Sequence, residues 1–196
     1  MKLALRIFLP LVAAAALLVQ GCAVQPQNIA LDPTMQVPQS KVGQGKTVQV
    51  VVRDARPRKT LGTVGDLNGK WAHVSIENDL TIPVYQAVSA GLIKQGFMVQ
   101  PTPSNDGRKL EVEVREIDYQ SSKDGFLYKT EGNAAVAAIA NNGETRYERI
   151  YRAGETLPSS PTVPSEAENV KAVNRIVGYT LEDMLKDDRL IATLVQ

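Results

Sequence analysis

Apolar residues recur along this chain in three patterns. Alternation marks strands, spacings of three and four mark helices, and one unbroken apolar run opens the sequence. Val48, Val50, Val51 and Val52 predict a mostly buried strand over residues 46–53. Residues 60–64 and 72–76 read as two short strands, joined through the Gly and Asn of residues 66–70. Asn78 or Asp79, with Thr81 as the alternative, caps a helix running to about Gln95, and Pro83 suits its first turn. Leu80, Val84, Val88 and Leu92 form its apolar stripe, supported by Ala87 and Gly91, and Gly96 is a natural residue to follow its end. Residues 97–99 return as a brief strand and residues 101–107 read as a loop.

The second half is more regular. Leu110, Val112 and Val114 alternate with Glu111, Glu113 and Arg115, while Ile117 and Tyr119 continue one residue out of phase. Asp124-Gly125 and Asn142-Gly143 are hairpin turn signals. They bound a long strand, 127–141, and a returning strand, 144–154, which together predict a three-stranded antiparallel meander. On those turns Ala138 lies opposite Tyr147, Ala134 opposite Tyr151, and Tyr119 opposite Thr130. The change of phase predicts a β-bulge at Arg115 or Glu116, which puts Val112 opposite Val136 and Val114 and Ile117 on one face. Residues 157–164 read as a Pro/Ser loop. Ser165 and Glu168 form a capping box for a helix striped by Val170, Val173, Val177, Leu181 and Met184. That helix should end near Asp187 or Asp188, and residues 189–195 close the chain as a short helix or, alternatively, a last strand. The order predicts an α+β fold: an antiparallel sheet including the meander, with two amphipathic helices packed on one face. The small side chains of residues 133–141 fit close approach of a helix.

The apolar run, residues 7–19, follows Lys2 and Arg6 and ends at Gly21-Cys22. A basic start, a short apolar core and a small residue at the cut describe a secretory signal peptide. The run is too short to span a bilayer, which takes about 20 residues. The position of Cys22, the only cysteine, makes the leader resemble a bacterial lipoprotein signal cut between Gly21 and Cys22. Val19 and Gln20 depart from the Leu and small residue commonest at those places. The resemblance implies that Cys22 carries diacylglycerol on its thiol and an acyl chain on its freed amine. Three chains anchor stably, since each buried CH₂ contributes about 0.8 kcal/mol and one chain alone is marginal. Ala23 stands where Asp favours inner-membrane retention in that class, so the resemblance implies the outer membrane, facing the periplasm. Residues 22–45, with Pro26, Pro33 and Pro38, then read as an extended tether, part of which could pack because Ile29 and Leu31 alternate. Residues 46–196 form a single domain.

Composition narrows the chemistry. Formal charge is +1 for the whole chain, and the leader removes Lys2 and Arg6, so no basic footprint for nucleic acid remains. A single cysteine excludes an intrachain disulfide, and one histidine, His73, leaves no set for a His/Cys zinc site. No calcium loop motif occurs, and no cofactor is implied. Gly43-Gln44-Gly45-Lys46-Thr47 imitates a P-loop, but Ser40 stands where the first glycine is required and the stretch precedes a strand. Ser75 near His73 lacks a nucleophile elbow, and Glu111 and Glu113 share an exposed strand face. No catalytic residue emerges. The surfaces left are the basic turn of Arg53, Arg56, Arg58 and Lys59, and whatever is exposed of Tyr119, Tyr128, Tyr147 and Tyr151.

In order along the chain, the motifs are the cysteine at 22, the strand and charged turn over 50–58, and Gln95-Gly96-Phe97-Met98-Val99. The strand 110–114, Asn141-Asn142-Gly143 and the helix over 169–184 follow. Together they resemble the YajG family of uncharacterised Gram-negative lipoproteins, over most of the mature chain. The resemblance implies an envelope lipoprotein and supplies no catalytic residue. The reading is a non-enzymatic, outer-membrane-anchored domain that binds or assists an envelope partner, either a protein or peptidoglycan. The alternative is a lipid-carrier or transport accessory with an apolar cavity, and a cell-wall or lipid hydrolase comes third.

Overall fold

The structure, a computed structural model, describes residues 25–65, 71–105 and 107–196. The leader, the cleavage site, Cys22 and the turn at 66–70 lie outside the described residues. Eight strands form one sheet: β1 (Gln27–Ile29), β2 (Thr47–Asp54), β3 (Thr60–Gly65), β4 (Trp71–Ile76), β5 (Met98–Gln100), β6 (Lys109–Asp124), β7 (Leu127–Asn141) and β8 (Arg146–Ser160). Among the described residues, three helices accompany them: α1 (Thr81–Lys94), α2 (Glu166–Leu185) and α3 (Asp188–Val195). The fold is α+β, as the pattern predicts, with the short closing helix as a third.

The sheet is organised on β6. One edge of β6 pairs antiparallel with β7 along its whole length. The other edge takes two strands in tandem, both parallel: β2 beside its first half and β3 beside its second. β5 adds to β2, β4 to β3, β1 to β4 and β8 to β7. The sheet is therefore mixed rather than antiparallel. The parallel neighbours β2 and β5 are joined by a long crossover through β3, β4 and α1, the kind of connection parallel pairing requires.

The predicted bulge is present at Arg115, where pairing passes from Val114 to Glu116. Val114 and Ile117 are both buried on the helix side. The registers differ from the expected ones by two residues. Asp124 still pairs with Leu127, so the first turn is Gly125-Phe126. Asn142 accepts the N–H groups of Glu144 and Thr145, which widens the second turn to residues 142–145. Val112 thus lies opposite Ala138, Val114 opposite Val136, Tyr119 opposite Gly132, Tyr147 opposite Ala140 and Tyr151 opposite Val136. An even slip leaves every side chain on its expected face. Residues 157–160, expected in a loop, extend β8, because the first half of β7 requires a partner up to Tyr128.

Val48, Val50, Leu110, Val112, Val114, Val136 and Ala138 face the stripes Val84, Val88, Leu92 of α1 and Val173, Val177, Leu181, Met184 of α2. The alanine run serves both faces. Ala134, Ala138 and Ala140 lie in the helix-side core, while Ala137 pairs between Glu113 and Ile150 on the other face. There the ion pairs Glu113–Arg115–Glu148–Arg146 run alongside, and their aliphatic stems cover small side chains. The capping box of α2 forms as predicted, and Asp187 caps α3. α1 differs: it follows Leu80 without a side-chain cap, Asp79 takes the N–H of Thr81, and Asn78 is used elsewhere.

Asn78 holds the segment expected as a tether. Its side chain accepts from the N–H of Leu31 and donates to the Leu31 carbonyl, both at 2.9 Å. The segment then crosses α2, where Asn174 bonds the backbone of Ala30 and Asp32, and Glu182 accepts from Gln36. Further on, the N–H groups of Ser40, Gly43 and Gly45 meet the carbonyls of Lys94, Gln95 and Gly96 at the end of α1. Those carbonyls have no partner within the helix, so the strap serves as the helix cap. Ile29 and Leu31 are fully buried and Val37 nearly so. Residues 27–45 are thus part of the domain, and the tether shortens accordingly.

Gly178 lets the strap lie this close: a Cβ there would sit 2.3 Å from the Thr34 carbonyl oxygen. Gly178→Ala gains helix propensity but forces backbone aside. It should destabilise the protein by about 1–3 kcal/mol, the usual range for overpacking, with faster amide exchange over residues 30–45. Wild-type exchange in that segment would show that the strap does not depend on this contact.

Candidate functional site

The residues singled out from sequence fall into three places. Tyr147, Arg149 and Tyr151 alternate along β8 and so share one face of an edge strand. All three converge on Asp187, at the corner between α2 and α3. Asp187 Oδ2 accepts from Tyr151 at 2.7 Å, Arg149 at 2.9 Å and Tyr147 at 3.0 Å. Its Oδ1 accepts from the N–H groups of Arg189 and Leu190. The guanidinium of Arg149 also stands 5.3 Å from the centre of the Tyr151 ring. An open groove of about 580 Å³ lies outside this node, lined by Arg149, Tyr151, Arg152, Asp183, Lys186 and Arg189 among others.

Burial pushes the Asp187 carboxyl up, but the hydrogen bonds from Tyr151, Tyr147, Arg189 and Leu190 outweigh it and lower the pKa to about 2. Burial, followed by its bond to Asp187, raises that of the Tyr151 phenol. A carboxylate that stays ionised and already accepts five hydrogen bonds makes a poor general base. The node fastens the edge strand β8 to the helix corner.

Tyr119 and Tyr128 are also buried. The Tyr119 hydroxyl donates to Asn169, which in turn donates to Gln27, tying β6, α2 and β1 together. Burial, with smaller contributions from Glu168 and Glu155, raises the Tyr119 pKa. Tyr119, Tyr128 and Tyr151 are buried, and the hydroxyls of Tyr119, Tyr147 and Tyr151 are bonded within the fold.

The basic turn carries acidic partners. Arg53 pairs with Glu111 at 2.8 Å, Lys59 with Asp54 at 2.7 Å and Arg58 with Asp118 at 3.4 Å. Arg56 is buried and grips Asp54 through Nε and Nη2. That bond, opposed by burial and reinforced by Lys59, holds the Asp54 carboxyl well below the usual carboxylate range. The turn bridges β2 to β3 opposite the Arg115 bulge, beside a groove of about 310 Å³ lined by Arg56, Arg58, Arg115 and Asp118. Arg53, Arg58 and Lys59 remain solvent-exposed, and Arg56 does not.

The carboxylates considered for catalysis are likewise engaged: Glu111 with Arg53 and Lys109, Glu113 with Arg115. His73 is exposed on β4, opposite Thr63. Among the described residues, no group of three His, Cys, Asp or Glu side chains is placed to hold a metal. Among the described residues, buried side chains of the sheet and of the helices form one core cluster. A Cβ on Gly132 of β7 would already stand 2.4 Å from Ile176 of α2. The Asp187 node has a sequence signal, Tyr-x-Arg-x-Tyr on one strand, but nothing local names its acceptor.

The Asp187 carboxyl is lowered in the folded state, so its contribution is full above the ordinary carboxylate range. It is lost as pH falls from about 4 toward about 2. The difference is on the order of 2 kcal/mol. Asp187→Asn should remove this part of the acid limb of stability and cost about 1–3 kcal/mol at neutral pH. Urea unfolding midpoints measured across that window test it, and an unchanged acid limb would refute the assignment.

The profile of a family described as "Uncharacterized lipoprotein" matches residues 33–195. The chain is 27% identical over 185 residues to "Uncharacterized lipoprotein YajG" of Escherichia coli K12, covering 93% of this chain and 92% of that protein. The same protein of the E. coli O6:H1 strain CFT073 gives the same figures. Among solved structures, a crystal structure of an uncharacterized protein aligns at 14% identity with a TM-score of 0.48, covering 83% of this chain and 98% of the other. Protein XCC0632 of Xanthomonas campestris aligns at 12% identity with a TM-score of 0.43, covering 88% and 95%. With its profile match running from the strap through β2 to the last helix, the chain belongs to this family of uncharacterized lipoproteins, the YajG family.

Proposed function

We propose that this chain is exported, cut before Cys22 and acylated there, and that its domain is held on the periplasmic side of the outer membrane as a non-enzymatic accessory. The observation that carries the reading is family membership together with the leader, whose cysteine stands five residues before the first strand. No described helix is long and apolar enough to cross a membrane. The cysteine would then supply the anchor. The polar groups inside the domain support an accessory role, because Asp187 and Asn169 hold strands and helices to one another and Asp54 fastens its own turn. The exposed members of the basic turn, Arg53, Arg58 and Lys59, are the proposed contact for an envelope protein or glycan.

Cys22→Ser is the direct test. The variant should lose labelling by a fatty-acid analogue and leave the membrane fraction for the soluble one. Unchanged labelling and partitioning would sink the reading. Photocrosslinking in cells from position 58 or 59 tests the contact surface. Capture of one envelope component that charge reversal at both positions abolishes is the expected result.

A further inference from the structure

We infer that the end of the sheet carrying Trp71, Phe126 and Leu127 lies in the bilayer interface beside the acyl anchor, so that the domain stands end-on at the membrane. The inference rests on acylation of Cys22 as proposed above.

Three chain features meet at this end. β3 runs parallel to β6, with Val64 level with Ser121, so the end of β3 and the β6–β7 turn point the same way. β4 starts there with Trp71, paired to Gly65. β1 runs parallel to β4, away from this end, so the chain preceding Gln27 leads back toward it. The chain entering β1, the end of β3, the start of β4 and the β6–β7 turn therefore belong to one side of the molecule.

Reach favours the arrangement. Gln27 is level with Val74, Val74 with Gly62, and through β3 with Tyr119 of β6. Cys22 is five residues before Gln27, which spans at most about 18 Å. Asp124, the last residue of β6, is five residues beyond Tyr119, about 17 Å along the strand direction at ~3.3 Å per residue, and the Gly125-Phe126 turn stands beyond it. The β6–β7 turn thus extends about as far as the anchored cysteine can. Across the sheet, β1 and β6 are separated by β4 and β3, about 14 Å in all. A tether that short keeps this end of the sheet near the surface in which Cys22 is embedded.

The side chains at this end suit the interface. Phe126 is 93% exposed, Trp71 54% and Leu127 43%. The Trp71 indole lies across Gly65. Tryptophan is favoured at the membrane–water boundary, where an apolar ring and a polar N–H are both satisfied. Exposed Lys123 stands behind the turn, at the level of lipid phosphates, with Lys129 paired to Glu131 nearby. A phospholipid interface is the occupant this set fits: apolar at the tip, with Lys123 and Lys129 among Asp124 and Glu131 just behind it, and tied to the lipid by its own chain.

Trp71 is the only tryptophan, so it reports on itself. The lipidated mature protein is reconstituted into phosphatidylethanolamine–phosphatidylglycerol vesicles, with and without brominated acyl chains. Expected are a blue shift of emission on reconstitution, quenching by the brominated lipid, and protection from aqueous iodide. Phe126→Asp should lose most of that quenching while the protein still floats with the vesicles. A protein that is acylated by intact mass and floats, yet leaves Trp71 unquenched and open to iodide, overturns the inference and leaves the anchor reading standing. A mature N-terminal peptide without acyl chains overturns the anchor reading itself, and the inference with it.

Discussion

The strap between β1 and β2 is the constraint on which the rest of the structure depends. It contributes Ile29, Leu31 and Val37 to the core, and its backbone is bonded by Asn78, Asn174 and Glu182. It also supplies the N–H groups that close the end of α1. A Pro-rich segment with no periodicity would ordinarily stay solvated. Here, long-range side-chain bonds replace the sheet or helix ladder it cannot make. The consequence reaches beyond stability, because each residue bound to the domain is a residue removed from the tether.

β6 is the second organising feature, and its bulge explains the two strands on its edge. The eight-residue β2 covers only the first half of the sixteen-residue β6. β2 stops at Asp54, the chain steps outward through residues 55–59, and β3 resumes beside the second half. Arg115 is the extra residue at that level, and Ala55 bonds the Val114 carbonyl where the step begins. The charges of the turn follow from this geometry. Arg56 fills the gap and needs Asp54, while Lys59 and Arg58 answer acids on the strands they cross. What reads as a basic stretch in sequence is charge-balanced in space.

Local chemistry was legible and distant pairing was not. The capping box at Ser165, the bulge at Arg115 and the face of every meander residue follow from periodicity and phase, which the chain carries within a few residues. The registers slipped by two because Asn142 widens its turn through its own side chain, and pairing up to Asp124 moves the other turn to Gly125-Phe126. An even slip changes no hydrophobic pattern, so periodicity is blind to it. The parallel pairs of β2 and β3 with β6, and the bonds from Asn78 and Asn174 to the strap, join residues tens of positions apart. The tyrosines show the same division. Their common face was evident from spacing, but their acceptors, Asp187 and Asn169, lie on a different element.

The internal networks bear on how such a domain could act. β8 is an outer strand of fifteen residues, which is exposed to pairing with other chains unless something restrains it. The Asp187 node clamps its first half to the α2–α3 corner, and Arg175 holds Glu155 of its second half at 2.7 Å. Charged side chains at Arg146, Glu148, Arg149 and Arg152 further blunt the edge. The strap and the Tyr119–Asn169–Gln27 chain brace the opposite side in the same way. Polar groups on both flanks tie the outer strands to the helices, so the domain is braced as one body.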